Sequence, residues 1–184
     1  MNSGPEDTQA TRRVASIAPA PWHRALHSQA PTATVLIRLM VGGVFMAEGI
    51  QKFMYPAETG AGRFARIGIP YPDVMGPAVG VVEVVCGVLV LVGLFTRIAV
   101  LPLIVVMCAA IVTTKVPILI GRELGPFALR EVAYYGFWGA MHEARTDLSM
   151  LLGSLFLLIV GAGRLSADAA LTRSSPGKER PPHL

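Results

Sequence analysis

Cysteine, charge and aromatic side chains are all scarce in this chain, and each shortage removes a class of protein. The 184 residues include two cysteines, Cys86 and Cys108, too few for a disulfide scaffold, and both lie inside apolar runs. No CxxC pair, no Cys and His spacing of a metal site and no glycine-rich nucleotide loop occurs, so no metal centre is expected. Charged residues make up only 15% of the chain against 53% hydrophobic ones, and the mean hydropathy is +0.55, far from a soluble domain. The basic surplus, a net +4, is dispersed and flanks apolar blocks, which argues against nucleic acid and for a lipid bilayer as the partner.

What the chain has in quantity is long apolar sequence. A helix needs about 20 mostly apolar residues to cross the hydrocarbon core. Runs at about 34–53, 74–95 and 98–120 meet that length, and a shorter one at about 146–163 borrows a turn from the residues before it. The expected fold is all-α: an antiparallel bundle of four transmembrane helices over residues 34–171, between polar tails, 1–31 and 172–184, expected to be disordered. The pair Thr96 and Arg97 is all that separates the second and third runs, which requires a tight antiparallel hairpin. A twin arginine at Arg12 and Arg13 is followed by the proline-broken "IAPAPWHR", which does not fit an export signal. An even number of spans puts both tails on one side, and the nearly balanced Lys and Arg residues lean toward cytoplasmic tails. The loop "GRELGPFALREVAYYGFWGAMHEARTD" gathers Tyr134, Tyr135, Phe137 and Trp138, an aromatic group suited to the headgroup level.

The charges inside the spans are the informative ones. At 100° per residue, Gly76, Gly80, Glu83 and Gly87 fall within an arc of about 60°, a glycine stripe with a carboxylate in it. Small residues at that spacing let a neighbouring backbone approach closely, so Glu83 points into the bundle and away from lipid. In the first span Arg38, Gly42, Phe45, Gly49 and Lys52 lie within about 80°, with Glu48 on the flank. Arg38 and Lys52 can each reach toward Glu83, which sits roughly 13 Å deep. Two readings stay open: paired charges that only hold helices together, or a polar pocket with Glu83 as proton carrier and Arg38, Glu48 and Lys52 as ligands of a substrate. Cys86 and Cys108 are equidistant from Arg97, so a dithiol at one depth is conceivable beside the plainer reading as small core residues. In "HEARTD", His142 and Asp147 are placed at the mouth of the bundle, with Asp147 also suited to cap the fourth helix.

Taken in order, Arg38 with "GVFMAEGIQKF", then "GVVEVVCGVLVLVGLFTR", then "DLSMLLG" and "GAGRLSAD", the sequence resembles the DoxX family of small bacterial membrane proteins from about Val35 to Leu171. The resemblance implies a four-helix membrane fold in the bacterial inner (plasma) membrane. It makes Arg38, Lys52, Glu83, Arg97 and Asp168 family-type polar residues, and Gly49, Gly80, Gly87, Gly161 and Gly163 part of the motif. Asp147 departs from the pattern, standing where an amide is expected. The family is linked to respiratory or thiosulfate-to-quinone electron transfer and to membrane oxidoreductase complexes of oxidative-stress defence.

Three functions follow as expectations. The first is an oxidoreductase component that binds a quinone headgroup or a small sulfur substrate. No haem or flavin motif is present, so electrons would pass directly to a bound quinone, the candidate cofactor, or through a redox partner subunit. The second is a non-catalytic scaffold docking a soluble redox enzyme through its loops. The third is a small-solute transporter, which four helices without an internal repeat would form only as a homo-oligomer.

Overall fold

The computed structural model describes residues 32–173, so the expected tails lie outside the described residues, except that residues 172 and 173 complete the last helix. The architecture is all-helical, with no strand among the described residues. In chain order the helices are α1 (Thr34–Met54), α2 (Ala61–Ile67), α3 (Pro72–Val92), α4 (Thr96–Ala110), a π-helical turn (Ile111–Lys115), α5 (Val116–Ile120), α6 (Phe137–Val160) and α7 (Ala167–Arg173). Among the described residues, three stretches are long and apolar enough to cross a membrane: α1, α3, and the continuous Thr96–Ile120. The 24-residue α6 has the length, but its first half carries His142, Glu143, Arg145 and Asp147.

The hairpin turn and both ends of the fourth expected helix differ from expectation. The hairpin turn is Gly93, Leu94 and Phe95, and Thr96 and Arg97 already belong to α4. Gly93 explains the shift: it closes α3 in the left-handed region at φ +74°, with its own N–H and that of Leu94 both donated to the Leu89 carbonyl. The fourth helix starts at Phe137, not near residue 146, and stops at Val160, so Gly161 and Gly163 lie beyond it with φ of +87° and +82°. The last eleven residues of the aromatic loop, from Phe137 to Asp147, are therefore helix, and "HEARTD" is inside α6.

Packing divides the bundle into two intimate pairs, α1 with α3 and α4 with α6, joined by the α3–α4 hairpin and by α1 against α6. The α1–α3 seam rests on glycine. A Cβ on Gly42 would lie 2.7 Å from the Gly87 carbonyl oxygen, and one on Gly49 would lie 2.7 Å from that of Gly80. Both contacts recur seven residues apart on each helix, so the two backbones touch along two turns in antiparallel register. Val41, Phe45, Val90, Val100, Leu103, Met150 and Leu157 fill the space between the pairs. Leu36, Val105, Leu152 and Ile159, each more than 60% exposed, point outward, the inverse of a water-soluble surface.

Candidate functional site

The charged residues of the spans sort into two centres at opposite ends of the bundle. At the end where α3 meets α4, Arg38 is buried and serves as a cap. Its Nε donates to the Val90 carbonyl at 2.9 Å, Nη2 to Leu91 at 2.5 Å, and Nη1 to Ala162 at 3.2 Å and to the Leu165 carbonyl. Helix C-termini leave carbonyls without intrahelical partners and carry partial negative charge, and a guanidinium answers both needs. Gly93 is part of the same device, because a Cβ there would sit 2.6 Å from Arg38 Cζ. Asp168 Oδ1 accepts the Phe95 N–H at 2.9 Å, and its own N–H donates to Gly93 at 3.1 Å, holding Phe95 at φ +48°. Arg97 donates to the Ile159 carbonyl at 3.1 Å. The "GAGRLSAD" segment, with Gly161, Gly163 and Asp168, is thus a carbonyl cradle and turn clamp. The expectation that Arg38 reaches Glu83 is corrected: its donors are committed to the far end, so it is no ligand of the Glu83 site.

The second centre is a cavity of about 510 Å³ between the two helix pairs. Lys52 Nζ and Glu83 Oε2 are 2.6 Å apart in its wall, with side chains 9% and 3% exposed. The glycine seam makes this pair: with Gly49 against Gly80, the lysine at the end of α1 lies along α3 within reach of Glu83. Lys52 also lies 3.5 Å from its own helix's Glu48 carbonyl. Glu48 lines the cavity from an exposed position.

Across the cavity, Lys115 Nζ meets Asp147 Oδ2 at 3.2 Å. Asp147 is ten residues past the start of α6, so it does not cap that helix. Counted as α-helix from the buried Leu103, Lys115 would point about 120° away from the core. The π turn, closed by the Val116 N–H on the Ile111 carbonyl, widens the helix and swings the lysine inward. Thr113 and Thr114 hydroxyls donate to the Ala109 and Ala110 carbonyls at 2.8 and 2.5 Å, satisfying groups the wider turn releases. Lys115 was not among the candidates that the sequence offered; the signal was "TTKVP", a lysine with two hydroxyls before it and a proline after it inside an apolar run.

Helix α2 covers one side of the cavity with Arg63, Phe64 and Ile67. Two wall residues, Met75 of α3 and Val105 of α4, are also 42% and 66% exposed, so the cavity opens sideways at the outer face of the hairpin. His142 is not in the wall; it is exposed on α6 with its ring nitrogens 2.9 and 3.0 Å from Arg145 Nη1 and its ring beside Tyr134. The cysteines are not in the wall either: Cys86 packs on the core and Cys108 is exposed, both as free thiols. Among the described residues no group of three or more His, Cys, Asp and Glu gathers in a metal-binding arrangement.

Apolar surface facing outward and ion pairs enclosed within define an integral membrane protein of the all-helical class, in contact with lipid. The chain belongs to the DoxX family. Residues 33–116 match the DoxX family profile. The chain is 53% identical over 158 residues to the Uncharacterized membrane protein Rv3486 of Mycobacterium tuberculosis, covering 86% of this chain and 92% of that one. It is 30% identical over 135 residues to the Putative oxidoreductase CatD of Bacillus subtilis, covering 73% of this chain and 84% of that protein. No solved structure matches the chain significantly.

Proposed function

We propose that the chain is the quinone-binding membrane subunit of an oxidoreductase in the bacterial inner membrane, with α6 as its fourth span and both tails cytoplasmic. The observation that carries this reading is the cavity itself, an ion pair enclosed at depth in a chamber that opens through Met75 and Val105 onto the lipid face. A lipophilic molecule with a polar head can enter sideways, leave its tail in the bilayer and bring a carbonyl to Lys52. Lys52 donates a charge-assisted hydrogen bond to that carbonyl, and Glu83 takes up or gives the proton that accompanies charge at the oxygen. A quinone supplies the electron-accepting ring; its reduction to the quinol takes two electrons, from a reduced partner subunit, and two protons. The name of the Bacillus subtilis relative supports the redox context. The apolar half of α6, Leu148–Val160 packed along α4, supports the fourth span.

The test is photolabelling in lipid nanodiscs with an azido-quinone. Label should fall on the peptides carrying Lys52, Glu83 and Met75, compete with unlabelled quinone, and drop in a Glu83→Gln variant whose thermal unfolding stays cooperative. Label confined to the outer apolar belt, without competition, refutes the assignment. The exposed Tyr134, Tyr135, Phe137 and Trp138 favour a second reading, a scaffold whose aromatic rim docks the redox enzyme. Co-purification of a partner that is lost on Trp138→Ala, with no labelling of the cavity, would select it.

A further inference from the structure

Each of the two helix pairs contributes one ion pair to the cavity that separates them: Lys52–Glu83 from α1 and α3, Lys115–Asp147 from the π turn and α6. The second pair is as enclosed as the first at its cation, since both lysine side chains are 9% exposed, while Asp147 is 23% exposed. Both stand in the cavity wall, not in a packed seam. An ammonium carries three N–H donors, and the bond to one carboxylate oxygen takes one of them. A π turn is a rare way to place a lysine, and such turns are frequent at functional sites.

We infer that Lys115 and Asp147 form a second polar subsite, so that the molecule the cavity selects carries two hydrogen-bond acceptors, one for each lysine. The inference rests on the quinone reading above and specifies the class of headgroup. A ring with a single acceptor serves Lys52 and leaves Lys115 desolvated against apolar ring edge, and an unpaired buried donor is penalised more heavily than a lost contact. Lys115 is then the specificity-determining residue, acting by direct contact, while Asp147 positions its ammonium.

The experiment is competition against the azido-quinone label in nanodiscs, with 1,4-naphthoquinone and its one-carbonyl analogue 1-tetralone. Wild-type protein should prefer the dicarbonyl by about tenfold. Lys115→Met should bring the preference close to unity, whereas Asp147→Asn, which keeps the ammonium, should retain it. A residue that mattered only for folding would weaken both competitors alike. If Lys115→Met fails to fold, the charge-free Lys115→Met/Asp147→Asn double variant carries the same expectation. A wild-type preference near unity, or one that survives loss of Lys115, overturns the subsite and leaves the quinone reading standing. No displacement of label by either compound overturns both.

Discussion

Alanine at Gly42 and alanine at Gly43 are the same chemical change on neighbouring residues of one helix, and the structure assigns them opposite outcomes. A Cβ on Gly42 would lie 2.7 Å from the Gly87 carbonyl oxygen and 2.9 Å from the Leu91 nitrogen, both backbone atoms that no rotamer can move. A Cβ on Gly43 meets nothing within 4 Å. Ordinary contact begins near 3.4 Å, so α1 and α3 must separate by about 0.7 Å to admit the methyl, and overpacking of that kind costs roughly 1–3 kcal/mol. Glycine to alanine within a helix is intrinsically favourable by about 1 kcal/mol, a term common to both sites. The difference between the two variants isolates the packing term: Gly43→Ala neutral or stabilising, and Gly42→Ala less stable than it by about 1–3 kcal/mol. Unfolding in mixed micelles of increasing sodium dodecyl sulfate, followed by far-UV circular dichroism, measures both. Equal stabilities would refute the glycine seam, and with it the account of how Lys52 is brought to Glu83.

Other perturbations follow from the two ionic centres. Lys52→Met strands Glu83 at 3% exposure and should cost about 3–5 kcal/mol, as should Glu83→Gln, while the double variant should cost clearly less than their sum; additivity in the double-mutant cycle would show the pair to be uncoupled. Arg38→Lys replaces a planar fork serving the carbonyls of Val90, Leu91, Ala162 and Leu165 with a single ammonium, so thermal stability should fall by about 3 kcal/mol while cavity labelling in folded protein persists. Loss of labelling in folded Arg38→Lys would contradict the separation of the two centres. Asp168→Ala orphans the Phe95 N–H and should destabilise by about 1–3 kcal/mol, whereas Asp168→Asn retains an acceptor and should stay within about 1 kcal/mol of wild type; equal losses would mean that charge, not the turn bond, is what matters.

Residue order alone determined a good deal of this protein. Apolar length dictates helices that cross a membrane, because lipid leaves backbone groups no other partner, and the glycine periodicity on the first and second spans already marks the faces that meet. Glu83 and Lys52 were legible for the same reason: a charge inside an apolar run has to face protein. Three things were decided only in three dimensions. Arg38 shares a helical stripe with Lys52, and periodicity places both toward α3, but only the path of the segment after α6 brings the Ala162 and Leu165 carbonyls to its guanidinium. The start of α6 at Phe137 carries Asp147 into a helix interior, where sequence reading saw a cap. Lys115 enters the cavity because a π turn breaks the 100° progression on which pattern reading depends, and the carboxylate that meets it lies on a helix 32 residues further along the chain. Periodicity specifies the face of a helix; which face it meets, and at what depth, depends on long-range contacts that no local spacing encodes.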